Sequence, residues 1–249
     1  MSLQSCAELL ERGDPDRLRA ALAAPPTARK VLFPVYAFNL EIARAPWVTA
    51  ESMIAEMRLQ WWRDALEEIG QGARVRSHEV TLPLAEVLDA DGAALLDGVI
   101  AARRWDVYSE PFEDEDHFRA YLDATSGNLA WAAARALGAQ GNEAAVRDVA
   151  FASGLARFFQ AVPDLQAKGR VPMVDGRPER VRAFAAEALD RLSRAGRIRG
   201  PARHALNDTV FAAPLLRLAQ RDPQAVAEGR LALPEGRKRL RLILRMLGG

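Results

Sequence analysis

The sequence predicts an all-α protein, and three observations carry that prediction. Alternating β-branched runs are missing, while alanine, leucine, arginine and glutamate recur at helical spacing. Proline, glycine or acidic clusters punctuate the chain wherever one apolar period gives way to the next. With no internal repeat, no low-complexity tract and no long linker, the economical arrangement is one helical bundle spanning residues 1–249.

Each element has a local reason. Asp14-Pro15-Asp16 supplies an N-cap with proline at the first helical position, and Pro25-Pro26 closes the helix it opens. A second helix should run from about Ala28 until Pro46 forbids continuation. Thr49 can cap a third, in which Ile54, Met57, Trp61 and Ala65 form one apolar row and Leu59, Trp62, Leu66 and Ile69 another. Two adjacent rows predict a broad, largely buried face, and Gly70 to Gly72 end the helix. Further helices are expected at about 83–90, 93–107, 114–137 and 143–161. The acidic run Glu113–Asp116 reads as the N-terminal cap of the 114–137 helix. Residues 168–178 read as a loop, followed by helices at about 179–195, 201–221 and 236–247.

Composition narrows the function classes. The 249 residues, 49% hydrophobic and 27% charged, suffice for a well-buried domain. A formal net charge of +1 gives no global attraction to nucleic acid, and no nucleic-acid-binding motif is present. The single cysteine, Cys6, excludes an internal disulfide and a cysteine-based zinc cluster, which fits a reducing compartment. His78, His117 and His204 are dispersed without ligand spacing. The opening residues MSLQSCAELLERGDPDR do not lead from a basic segment into an apolar run, and no later stretch has spanning length. The expectation is therefore a cytoplasmic protein, or one peripheral on a membrane, with no transmembrane segment.

Two blocks stand out: Tyr36-Ala37-Phe38, and Arg58 to Leu66 reading RLQWWRDAL. They resemble the squalene/phytoene synthase family, all-helical enzymes that join two prenyl diphosphates head to head. Weaker matches follow in order: His78-Glu79-Val80, Arg103-Arg104 with Asp106, Tyr121 to Gly127 (YLDATSG), Gly154-Leu155-Ala156, and Gly169-Arg170-Val171-Pro172-Met173. Together these cover most of the first 175 residues. The resemblance implies a bundle of the isoprenoid synthase type, in which aspartates four apart on facing helices share Mg²⁺ with a diphosphate.

Those aspartates are absent. The first aspartate-rich motif falls on Ala43, Arg44 and Trp47, and Pro46 breaks the helix that would display it. The second, R-D-x-x-E-D in active members, falls on Gln160-Ala161 and Asp164-Leu165 counting back from Gly169, with Pro163 inside, and the spacing from Gly154-Leu155-Ala156 to Gly169-Arg170 is about one helical turn short. A retained scaffold with erased acids resembles one branch of the family, relatives of a mitochondrial complex I assembly factor.

Three functions follow from the resemblance. The first is a diverged, non-catalytic protein for assembly or interaction, with a protein partner at the inner membrane and no cofactor. The second is an active prenyl transferase of squalene or phytoene synthase type, using Mg²⁺ and substitute ligands such as Glu41, Asp64 and Asp164, with Tyr36, Gln60 and Trp61 contacting substrate. The third keeps the pocket to bind a prenyl lipid. The residues also carry plainer readings: the tryptophans as core packing, and Asp64, Glu67 and Glu68 as a solvated helix face.

One further segment has functional potential. In Gly236 to Leu247, Leu240, Ile243, Leu244 and Leu247 form an apolar stripe opposite Arg237, Lys238, Arg241 and Arg245, while Leu242 and Met246 widen the apolar face. Such a basic amphipathic helix suits an anionic membrane or a partner, or packing on its own bundle with its arginines in water.

Overall fold

The computed structural model describes residues 3–49, 51–108 and 110–247, so Met1, Ser2, Ala50, Ser109, Gly248 and Gly249 of the predicted 1–249 span lie outside the described residues. Among the described residues there is no strand. The helices are α1 (Leu3–Gly13), α2 (Pro15–Leu22), α3 (Pro26–Arg44), α4 (Ser52–Gly70), α5 (Thr81–Ala85), α6 (Ala90–Arg103), α7 (Glu115–Leu122) and α8 (Asn128–Ala136). They continue with α9 (Glu143–Ala167), α10 (Pro178–Ala195), α11 (Ala212–Arg221), α12 (Gln224–Ala227) and α13 (Glu235–Leu247).

Local chemistry places the ends. Asp14 caps α2 by accepting the Arg17 N–H at 3.0 Å, with Pro15 at the first position. Asp114 does the same for α7 through the His117 N–H at 2.7 Å. Thr49 is displaced from its predicted role: Glu51 is the N-cap residue of α4, and the Thr49 hydroxyl accepts the Glu51 N–H instead. The predicted helix at 201–221 divides into a 3-10 segment, Pro201–Phe211, and α11. Within that segment Leu206 departs from helical φ/ψ, the Ala205 carbonyl accepts from Tyr36 Oη, and the Asn207 side-chain amide donates to the Ala20 carbonyl.

The chain forms two compact units. The first comprises Met1–Tyr108, Asn128–Gly141 and Arg199–Asp208. Its centre is α3, where Leu32, Val35, Tyr36, Phe38 and Ile42 are buried and α1, α2, α5 and α8 pack around the helix. Pro34 lies inside α3 and removes one ladder N–H without ending the helix. Helix α4 packs on α6, and Arg63 clamps Asp97 there with bonds of 2.7 and 3.1 Å. Its row Leu59, Trp62, Leu66 and Ile69 is buried as the periodicity predicts. The other row is buried only in its second half: Ala65 is buried and Trp61 half-buried, whereas Ile54 and Met57 are exposed.

The second unit comprises Ser109–Gly127, Asn142–Ile198 and Thr209–Gly249. Its centre is α9, which buries Phe151, Leu155, Phe158, Phe159 and Val162 against α10, α11, α12 and a π-turn at Asp123–Gly127. Phe112, Phe118, Tyr121, Phe158 and Phe184 stack edge to face in its core. Arg119 bridges Glu187, and Glu187 in turn holds Arg191 at 2.7 Å.

Candidate functional site

In the first unit, Tyr36 is committed to the scaffold. Its ring is buried beneath the Arg17 guanidinium, 5.5 Å from the ring centre, and its hydroxyl donates to the Ala205 carbonyl at 3.0 Å. Arg17 also pairs with Asp208 at 3.4 Å. One helical turn on, Glu41 is half-buried, and α3 ends at Arg44. Ala45–Trp47 then form a 3-10 turn with Ala45 and Pro46 buried. Positions 43 and 47 therefore fall on two differently wound segments, and the one-face display that a diphosphate site needs does not form.

The RLQWWRDAL block is held by a basic residue outside it. Arg76 donates to Glu68 Oε1 from both Nε (3.0 Å) and Nη2 (2.7 Å), and its backbone N–H reaches Glu68 Oε2 at 2.8 Å. The same guanidinium donates to the Trp61 carbonyl, lies 5.2 Å from the Trp61 ring centre and approaches Asp64 Oδ2 at 3.4 Å. Gln60 donates to the other Asp64 oxygen at 2.7 Å. The side-chain bonds from Arg76 hold the Glu68 carboxyl below its ordinary range. Trp61 and Trp62 meet edge to face, both ring centres lie within 5.4 Å of His78, and Trp62 also meets Phe38. Gln60, Trp61 and Asp64 thus belong to one cation–aromatic cluster, with Gln60 exposed at its edge.

In the second unit, α9 continues through Pro163 to Ala167, six residues beyond its predicted end. Gln160 donates to the Leu231 carbonyl at 3.0 Å, and Pro163 is the nearest neighbour of Gly229, so the chain after α12 lies along this side of α9. Of the positions matching the family's second pair of acids, Asp164 is exposed and Leu165 buried. Gly169, at φ +74°, ends the helix: its N–H bonds the Gln166 carbonyl at 2.9 Å and the Arg170 N–H bonds the Leu165 carbonyl at 3.0 Å. The glycine of the G-R signature is therefore a left-handed helix stop. Gly154, which opens the other retained pattern, packs against Ser126 of the π-turn.

Among the described residues, no group of three or more His, Cys, Asp or Glu side chains is placed to hold a metal ion. Asp106, buried within the weak Arg103–Asp106 match, accepts from Arg103 at 2.8 Å. A Mg²⁺–diphosphate needs converging hard oxygen ligands, and the matching positions Ala43, Arg44, Trp47, Gln160, Ala161, Asp164 and Leu165 offer one carboxylate. The donor set does not fit that ion.

The family model for squalene/phytoene synthase matches residues 10–174. The chain belongs to the squalene/phytoene synthase family. The fold agrees: a dehydrosqualene synthase crystallised with ligand superposes with a TM-score of 0.81 at 14% identity, covering 99% of this chain and 95% of that one. Two curated relatives are named for complex I assembly factor 6. The Drosophila melanogaster homolog is 25% identical over 177 residues, 68% of this chain and 53% of its own length. The Homo sapiens protein is 34% identical over 64 residues, 26% of this chain and 19% of its own. The chain thus spans about half or less of these relatives. It is a diverged family member in which the two acid motifs have been replaced.

Two features escape a reading by motif: Arg76 and the segment around Leu231. A signal for the first exists in the sequence, since Gly70 to Gly72 reverse the chain and a basic residue just beyond can reach back to acids on α4. Nothing local signals the second, because 71 residues separate Gln160 from Leu231.

Proposed function

We propose that this protein has left prenyl-diphosphate chemistry and assists assembly of NADH dehydrogenase (complex I), working at or beside the respiratory membrane. The observation that carries the first half is the ligand set: one carboxylate remains across the two positions where the family binds Mg²⁺, and it is exposed rather than aimed at others. The second half rests on the relatives named for complex I assembly, one of which aligns over 68% of this chain. No helix among the described residues is long and apolar enough to cross a membrane, so contact with membrane-embedded subunits would be made from the surface.

The decisive test has two arms. Pure protein incubated with farnesyl or geranylgeranyl diphosphate and Mg²⁺ should release no pyrophosphate; release that Asp164→Ala abolishes would overturn the reading. Deleting the gene in its native host should deplete assembled complex I on native gels. A copy carrying Glu41→Ala, Asp64→Asn and Asp164→Ala should restore it, whereas undiminished complex I in the deletion would remove the assembly role.

A further inference from the structure

Helix α13 is amphipathic, yet the face it turns inward is not its apolar stripe. Leu242 is 7% exposed, whereas Leu240, Ile243, Leu244 and Leu247 are exposed by 55, 51, 58 and 79%. At 100° per residue the stripe centres about 150° away from Leu242. The helix is thus held by its Leu242 side, near the half-buried Lys238, Arg241 and Arg245, and presents four large aliphatic side chains outward along roughly 10 Å. Lys238 is further fixed by Glu235 at 3.1 Å.

The charge distribution selects what covers this face. Helix α13 carries five basic side chains against one acidic, in a chain whose formal net charge is only +1, so the rest of the chain is net acidic. Exposed Arg237, expected opposite the stripe, instead borders it on one side at 100° per residue, and exposed Arg239 borders it on the other. A second copy docked stripe to stripe would set two strongly basic helices against each other. An anionic bilayer surface satisfies both halves at once: aliphatic side chains enter the acyl boundary while bordering arginines reach the phosphates.

We infer that α13 is a docking helix for anionic phospholipid surfaces, lying in the interface plane with Leu240, Ile243, Leu244 and Leu247 inserted. This deepens the membrane-side placement proposed above, but its test is independent, since a chain indifferent to lipid can still restore complex I. The full chain is floated with vesicles of phosphatidylcholine alone or containing about one-third phosphatidylglycerol. The protein should float with the anionic vesicles and be released by salt. Leu240→Asp with Leu244→Asp should lower partitioning by roughly tenfold or more, and Arg237→Gln with Arg239→Gln by a smaller factor. Because these side chains are exposed, the variants should keep the wild-type melting curve, and circular dichroism checks this. Equal flotation of wild type and the leucine variant would overturn the inference. So would a wild-type chain that ignores anionic vesicles but forms dimers that the leucine variant dissolves, which would give the face to a second copy.

Discussion

Gly154 of α9 approaches Ser126 of the π-turn so closely that a Cβ on the glycine would stand 2.8 Å from the serine Cβ. Packing therefore accounts for the absence of a side chain at this place in this chain. The Gly154→Ala variant should lose about 1–3 kcal/mol in urea unfolding, because the overlap outweighs the helix propensity gained. In a Ser126→Gly background the same change should cost much less, and equal costs in both backgrounds would deny the coupling.

The Arg76–Glu68 bond should show in the pH dependence of stability. A carboxyl held below its unfolded value of 4.5 stabilises the folded state above that pH and loses the effect as pH falls through the depressed value. Wild type should therefore be more stable than Glu68→Gln at neutral pH, and the two should converge in acid. The gap should be modest, since the pair is partly solvated. Parallel melting curves across pH 3–7 measure it, and a gap that widens in acid would contradict the assignment.

Tyr36→Phe tests whether the Y-A-F block serves structure. Removing the hydroxyl leaves the Ala205 carbonyl without that donor, at a cost of about 1–2 kcal/mol. Denaturant unfolding reads the loss, and an unchanged midpoint would mean that the bond contributes nothing.

Cys6 should be inert while the protein is folded. Burial pushes its thiol up to about 12, with a smaller push from Glu79, so the reactive thiolate is scarce at neutral pH. Alkylation by iodoacetamide at pH 8 should be far slower in the native state than in urea. Equal rates would mean that the helix bearing Cys6 opens readily.

The sequence made the helices legible where local chemistry sets them. Asp14-Pro15 starts α2, Asp114 caps α7, and the rows of α4 name residues that share a face. Periodicity says which residues share a face but not how far along the helix that face is covered, so Ile54 and Met57 belong to an apolar row and still stand in solvent. For the same reason the stripe of α13 was legible as a stripe but not as an outward one; only the placement of Leu242 decides that. The candidate site was legible as an absence of acids. What replaced them, Arg76 on Glu68 and Gln160 on Leu231, depends on chain returns with no local period.

Leu165 makes the divergence hard to undo. It stands where active relatives carry an aspartate, it is buried, and its carbonyl anchors the turn at Gly169 and Arg170. An acid written back there would lose its hydration at a buried position, a penalty of several kcal/mol unless a partner paired it, against a total stability of about 5–15. The bundle is free to change its surfaces, but its old chemistry lies behind a folding barrier.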